Sequence, residues 1–178
     1  MSTATATHLS PTPNVEGPLF KWGSPLRTNY LGPDTVGEPL LLRGRVLDTS
    51  ARPLPGVVLE MYQADTTGTY DSLGFGMRGH QITKPDGSYR LRTIIPREYN
   101  AAGGLHSPHL HARVLAPDGP LLVTQLYFPP DTRAYGLDFA VLNAADDLYD
   151  TACLIAMTPN RRGGHNGRFD FIVPTEPS

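Results

Sequence analysis

Turn signals cut this chain into short pieces. Pro53-Leu54-Pro55-Gly56, Pro85-Asp86-Gly87 and Pro117-Asp118-Gly119 fall between runs in which apolar and polar residues alternate. Proline presets one turn dihedral and glycine accepts left-handed backbone, so such clusters end regular structure. With 18 Gly and 18 Pro in 178 residues, long helices are hard to build and short strands are not. The runs carry a period of two. Leu42, Gly44 and Val46 alternate with Arg43, Arg45 and Leu47; Val57, Leu59 and Met61 share one face; so do Tyr89, Leu91 and Thr93. Leu121 to Phe128, Leu154 to Met157 and Phe169 to Val173 complete the expected strands. Residues 129–150 read as irregular, with one helical turn near Ala144 to Tyr149. Strands spaced by turns predict an all-β fold, an antiparallel β-sandwich.

The length suits one domain with a substantial core. Residues 1–38 show no strand periodicity and are rich in Pro, Ser and Thr, with Phe20, Trp22 and Tyr30 near the end. They read as an irregular N-terminal arm, its first 16 residues flexible or draped over a partner, its aromatics packed on the core or on another subunit. A catalytic β-sandwich is expected over 39–178, and a homo-oligomer through the arm. A formal charge of −2 argues against a basic patch and against nucleic acid as partner. The single Cys153, in an apolar run, excludes an internal disulfide and reads as a small buried hydrophobe. No apolar run is long enough for a membrane span and no signal-peptide pattern opens the chain, so a cytoplasmic protein is expected.

The chemistry concentrates at 97–113, R-E-Y-N-A-A-G-G-L-H-S-P-H-L-H-A-R, where a flexible Ala-Ala-Gly-Gly loop precedes a strand. On a strand His109 and His111 project from one face, about 7 Å apart along the backbone. Two imidazoles there form half of a metal-ligand set. Two surface histidines on an exposed face would give the same pattern.

Further motifs stand in series: P-L-P-G-V-V-L-E-M-Y-Q-A-D-T-T-G-T-Y ending at Tyr70, P-D-G-S-Y-R-L-R-T-I-I-P-R-E-Y ending at Tyr99, the H-L-H strand, and T-Q-L-Y-F-P. With E-G-P-L-F and P-L-R near the start, they resemble, in one consistent order over residues 16–173, the intradiol ring-cleavage dioxygenases. That resemblance implies a mononuclear non-haem Fe(III) held by Tyr70, Tyr99, His109 and His111 on long loops and one strand. It implies cleavage of a catechol-type ring between its two hydroxylated carbons, with O2 as cosubstrate and a muconate-type diacid as product. Tyr99 would leave the iron when substrate binds and take a substrate proton. Gln125 resembles the family's glutamine beside the substrate ring. Tyr62 stands where the family often has Trp and reads as core packing. His80, His165 and the Arg161-Arg162-Gly163-Gly164 loop read as surface.

Two departures concern the substrate side. His106 stands where many relatives carry an arginine three residues before the first ligand histidine, and Asn100-Ala101 replaces a Pro-Trp pair. Arg78, Arg97 or Arg113 could restore the missing charge. Other readings are the same fold and iron acting on an unusual bulky catechol in a biosynthetic pathway, and a non-catalytic β-sandwich binding module.

Overall fold

The computed structural model describes residues 11–14, 16–30 and 36–174. The flexible start expected for residues 1–16 thus lies mostly outside the described residues. Eleven strands form two main sheets and a hairpin. β1 (Pro39–Asp48) is the spine of the first sheet. One edge pairs antiparallel with β4 (Ser88–Ile94); the other pairs parallel with β10 (His165–Arg168) and then β11 (Phe171–Val173), and β9 (Ala156–Pro159) adds to β10. The second sheet is antiparallel throughout, in the order β3-β2-β7-β8: β2 (Val58–Gln63), β3 (Arg78–Ile82), β7 (His109–Leu115) and β8 (Leu121–Tyr127). The all-β reading holds, with parallel pairings at β1 that alternation alone does not reveal.

The period of two decides what each face does. Leu40, Leu42 and Val46 of β1, Tyr89 and Leu91 of β4, Leu59 and Met61 of β2, and Leu110, Ala112 and Val114 of β7 share one core between the sheets. The intervening residues of the second sheet face outward: Glu60 and Tyr62 of β2, His109, His111 and Arg113 of β7, Gln125 and Tyr127 of β8. That outer face is not bare. The described arm crosses it: Tyr62 donates to the Glu16 carbonyl, Phe20 packs on Tyr62, and Arg113 pairs with Glu16 and Glu60 at 2.6 Å each. Farther on, the arm bridges β3 and β4 at Leu26 and Asn29, and Tyr30 is buried with its hydroxyl on Gly79 O. Trp22 stays 72% exposed, its ring edge-on to Phe20. Cys153 is buried and unpaired, as expected.

Several local expectations change. The Ala-Ala-Gly-Gly stretch is the turn of a hairpin, β5 (Tyr99–Ala101) with β6 (Gly104–His106), where Gly103 and Gly104 take φ of 110° and 114°. The helical element is α1 (Phe139–Ala145), earlier than the turn expected at 144–149. Asp138 caps it by accepting from Val141 N, and Phe139 anchors it in the core. Leu154 only bridges Tyr127; the strand there is β9, two residues later. Phe169 lies between β10 and β11, not in a strand. His80 and His165 are half-buried rather than surface residues: Ser24 O lies 2.9 Å from His80 Nδ1, and Glu38 lies 3.6 Å from His165 Nδ1.

Composition also hides a local patch. On the outer face of the first sheet Arg43 lies directly across from Arg90 on one side and Arg168 on the other. Among the described residues the one carboxylate ion-paired to this row is Asp170, 3.2 Å from Arg168. No helix among the described residues is long and apolar enough to cross a membrane.

Candidate metal centre

The covered outer face of the second sheet holds a cluster of phenol and imidazole rings. β7 supplies His109 and His111, both buried. Their Nε2 atoms lie 3.1 Å apart, because the two rings tilt toward each other from a common face. His111 stacks on Tyr62 of the neighbouring strand, centroids 4.3 Å apart and planes at 3°. The loop after β2 brings in Tyr70, and hairpin β5–β6 brings in Tyr99, its ring 5.3 Å from that of Tyr70 at 85°. The Tyr99 hydroxyl is 3.4 Å from His109 Nε2. His106, on the paired hairpin strand, stacks on Tyr99 at 5.0 Å. Gln125 lies across from His111 in register, and its Oε1 accepts from the Tyr127 hydroxyl at 2.8 Å. All six residues singled out in the sequence, Tyr70, Tyr99, His106, His109, His111 and Gln125, therefore meet at one place.

The protonation states follow from the contacts. His109 Nδ1 is 2.7 Å from Ser107 O. A carbonyl only accepts, so Nδ1 carries the proton and the Nε2 lone pair faces Tyr99 and His111. Burial lowers the pKa of His109 to about 4, and burial followed by the neighbouring His109 pushes His111 well below the ordinary range. Both imidazoles are neutral at pH 7, the form that binds metal. Burial, then the adjacent Tyr99, raises Tyr70 far above an ordinary phenol, and burial raises Tyr99 too. Tyr70 is the more enclosed, and its hydroxyl is buried with no well-formed hydrogen bond among the described residues, although the Tyr99 hydroxyl is a close polar neighbour. An unpaired buried hydroxyl costs free energy and calls for an explanation. A cation would reverse the phenols' preference and hold them as phenolates, as zinc does for thiols. Among the described residues no three His, Cys, Asp or Glu side chains gather as a metal site. An ion held by these histidines would take its remaining ligands from the phenols. This donor set of two phenols and two neutral imidazoles fits a hard trivalent cation.

The three candidate arginines separate. Arg97 is paired with Glu98 at 3.0 Å, and Arg113 lies between Glu16 and Glu60. Arg78 is buried, bonded through Nε and Nη1 to the carbonyls of Asp71 and Leu19, with its guanidinium 5.4 Å from the Tyr62 ring and 5.8 Å from the Tyr70 ring. Of the three, it is the one with no carboxylate ion pair among the described residues, and it lies beside the cluster.

Sequence reading missed Ser107, Asn143 and Asp146, which lie behind His109. Ser107 N donates to Asp146 Oδ2 at 2.8 Å and Ser107 Oγ to Asn143 Oδ1 at 2.5 Å. Residues 129–150 gave no alternation to place Asn143 and Asp146; the Asp138 cap before Phe139-Ala140-Val141-Leu142 was the available signal.

The family model described as Dioxygenase matches residues 15–173. The chain belongs to the intradiol ring-cleavage dioxygenase family. It is 33% identical over 151 residues to the catechol 1,2-dioxygenase of Acinetobacter baylyi, an alignment covering 71% of this chain and 48% of that protein. It is 32% identical over 137 residues to the hydroxyquinol 1,2-dioxygenase of Nocardioides simplex, covering 66% and 47%. The chain thus spans about half the length of the curated relatives it matches. Among solved structures it is similar to the dioxygenase domain of a dioxygenase carbohydrate-binding protein fusion from Streptomyces sp. SirexAA-E. That match has 40% identity and a TM-score of 0.79, and covers 94% of this chain and 99% of that one. The 3-chlorocatechol 1,2-dioxygenase of Rhodococcus opacus 1CP superposes with a TM-score of 0.82 at 25% identity, covering 96% and 76%.

Proposed function

We propose that this chain is a ferric intradiol dioxygenase in which Tyr70, Tyr99, His109 and His111 hold one iron. Its substrate would be a catechol-type ring, opened between the two hydroxylated carbons, with both atoms of O2 entering a muconate-type diacid. The observation that carries the reading is the convergence of two phenols and two neutral imidazoles, one phenol buried with no well-formed hydrogen bond among the described residues. The chemistry a bound ferric ion supplies is withdrawal of electron density from a chelated catecholate, which opens the ring to O2.

The chain's own residues divide the remaining work. Tyr70, enclosed by Tyr62 and Tyr99, is suited to stay in place. Tyr99 is half-buried on a two-stranded hairpin, so as a phenolate it is suited to swing away and accept one catechol proton at its oxygen, becoming a neutral phenol. Gln125, its carbonyl occupied by Tyr127, has an amide N–H left to donate toward the ring. The arm through Phe20 and the hairpin keep water off the outer sheet face. The arm over 1–38 and the catalytic sandwich over 39–178 act together, and the exposed Trp22 and Leu26 suit a contact between subunits of a homo-oligomer. Light scattering that reports a monomer at micromolar concentration contradicts the subunit contact.

The substrate follows from His106. It sits against Tyr99 where relatives carry an arginine, and Arg78 lies behind Tyr70, so permanent charge at the ring is reduced. Losing one well-placed electrostatic donor costs about 2.7–4 kcal/mol of barrier. Rings with a third hydroxyl need less help, and Asn100 leaves space for a substituent. Hydroxyquinol-like or bulky catechols should therefore react better than catechol or protocatechuate. The test is O2 uptake and diacid formation over a substrate panel, for wild type and His106→Arg. A wild-type preference for plain catechol, with ratios unchanged in His106→Arg, defeats the substrate assignment. Absence of ring cleavage with every substrate on the panel defeats the enzyme.

A further inference from the structure

His109 has a soft torsion at its ring, and only an outside partner can fix which nitrogen faces the cluster. The χ2 of histidine is broad, with no sharp staggered wells. Here the partner is the carbonyl of Ser107, 2.7 Å from Nδ1. That carbonyl belongs to the Ser107–Pro108 peptide, which is planar and has no N–H of its own. A residue before proline is confined to extended backbone, so the carbonyl's direction follows from where the rest of Ser107 is held.

Ser107 is held from two sides by one element. Asp146 accepts from Ser107 N through Oδ2 and from Leu148 N through Oδ1. Asn143 accepts from Ser107 Oγ through Oδ1 and donates through Nδ2 to Phe128 O, just past β8. Each side chain keeps one polar atom on Ser107 and the other elsewhere; Asp146 Oδ1 also faces His106 Nδ1 at 3.9 Å. All three residues are buried, at 5%, 3% and 0% exposure for Asp146, Asn143 and Ser107. The end of α1 is capped by the Asp146 backbone N–H, which donates to Asn143 O, so the Oδ2 contact with Ser107 is not needed to end the helix.

We propose that Asn143 and Asp146 are positioning residues that clamp Ser107, so that its carbonyl keeps the proton of His109 on Nδ1 and the lone pair of Nε2 toward Tyr99 and His111. The role rests on the reading of His109 as a metal ligand. Partners behind a ligating histidine fix its tautomer and raise its basicity, and their loss costs about 10–100-fold in metal affinity. Without the clamp the Ser107 carbonyl turns, the proton can move to Nε2, and the ring then offers its lone pair away from the cluster.

The test uses the full-length chain with Asn143→Ala, Asp146→Ala and Ser107→Ala, and Val141→Ala on the exposed face of α1 as control. Two quantities are read. One is the His109 tautomer, from ring nitrogen shifts in long-range proton–nitrogen spectra of chelator-treated protein. The other is Fe(III) affinity, by competition with nitrilotriacetate. The expected result is an Nδ1–H tautomer in wild type and Val141→Ala, a shift toward Nε2–H in the clamp variants, and about 10–100-fold weaker iron binding in them. Clamp variants that melt cooperatively yet keep both the Nδ1–H tautomer and wild-type iron affinity overturn the proposal. If Asp146→Ala fails to fold, Asn143→Ala and Ser107→Ala, each removing neutral bonds, decide the matter. A wild type that takes up no iron defeats the metal reading instead, and the tautomer measurement still decides the clamp.

Discussion

Tyr70→Phe should make the metal-free protein more stable and the metal site worse. The substitution removes one buried oxygen that has no well-formed hydrogen bond among the described residues. A buried unsatisfied polar group costs about 1–3 kcal/mol. The Tyr99 phenol is a close polar neighbour, rings 5.3 Å apart, and recovers part of that cost, so the expected gain is at the low end, about 1 kcal/mol. Phenylalanine keeps the ring contacts with Tyr62, His111 and Tyr99. For a chain of this length 1 kcal/mol moves Tm by about 2–4 °C. The same change deletes one anionic oxygen from the metal set, so iron retained after iron-replete expression should drop. Calorimetry of chelator-treated protein and iron per chain are the two assays. A Tyr70→Phe chain that melts below wild type when both are metal-free refutes the reasoning, because the hydroxyl would then have a stabilising partner.

Three further outcomes are expected. Arg113→Met leaves Glu60 buried beside β7 without its cation and frees Glu16 on the arm. Breaking such a pair costs about 3–5 kcal/mol when fully buried, so about 3 kcal/mol is expected here, and Arg113→Met/Glu60→Leu should recover most of it in urea melts; equal stability of single and double variants contradicts this. Arg90→Glu should stabilise by about 0.2–1 kcal/mol at low salt and less at high salt, because it relieves like charges across β1 and β4. A loss of stability at low salt would show that the arginine row is not repulsive. Burial holds His109 neutral with a folded pKa of about 4, below the ordinary 6.5, so the unfolded chain binds more protons between those values. Stability from this group is complete above pH 6.5 and is lost as pH falls through about 4, to a total of about 3 kcal/mol; parallel losses in wild type and His109→Gln from pH 7 to 4.5 would contradict it.

The parts of the site on regular strand are legible in the residues alone. A period of two places His109 and His111 together whatever the rest of the chain does, and turn signals frame β2, β4, β7 and β8. The placement of Tyr70 and Tyr99 comes from motif order, because neither lies in an alternating run. What alternation does not show is long-range. The parallel pairing of β10 with β1 involves His165-Asn166-Gly167-Arg168, which has no apolar rhythm. Glycines that read as a flexible loop turn a hairpin, because left-handed φ serves either end. The separation of Arg78 from Arg113 depends on carboxylates distant in sequence, Glu16 and Glu60, whereas Arg97 pairs with its neighbour Glu98. Asn143 and Asp146 are invisible for the same reason: they meet Ser107 only because α1 returns to the end of β8.

The most direct test of the central claim is the visible spectrum and metal content of the purified full chain after iron-replete expression. Two tyrosinates on Fe(III) give a charge-transfer band, so the account predicts a red-brown protein with one iron per chain, and His109→Ala should lose most of both while its apolar strand face keeps the sandwich folded. A colourless wild-type protein, containing zinc or no metal, would contradict it.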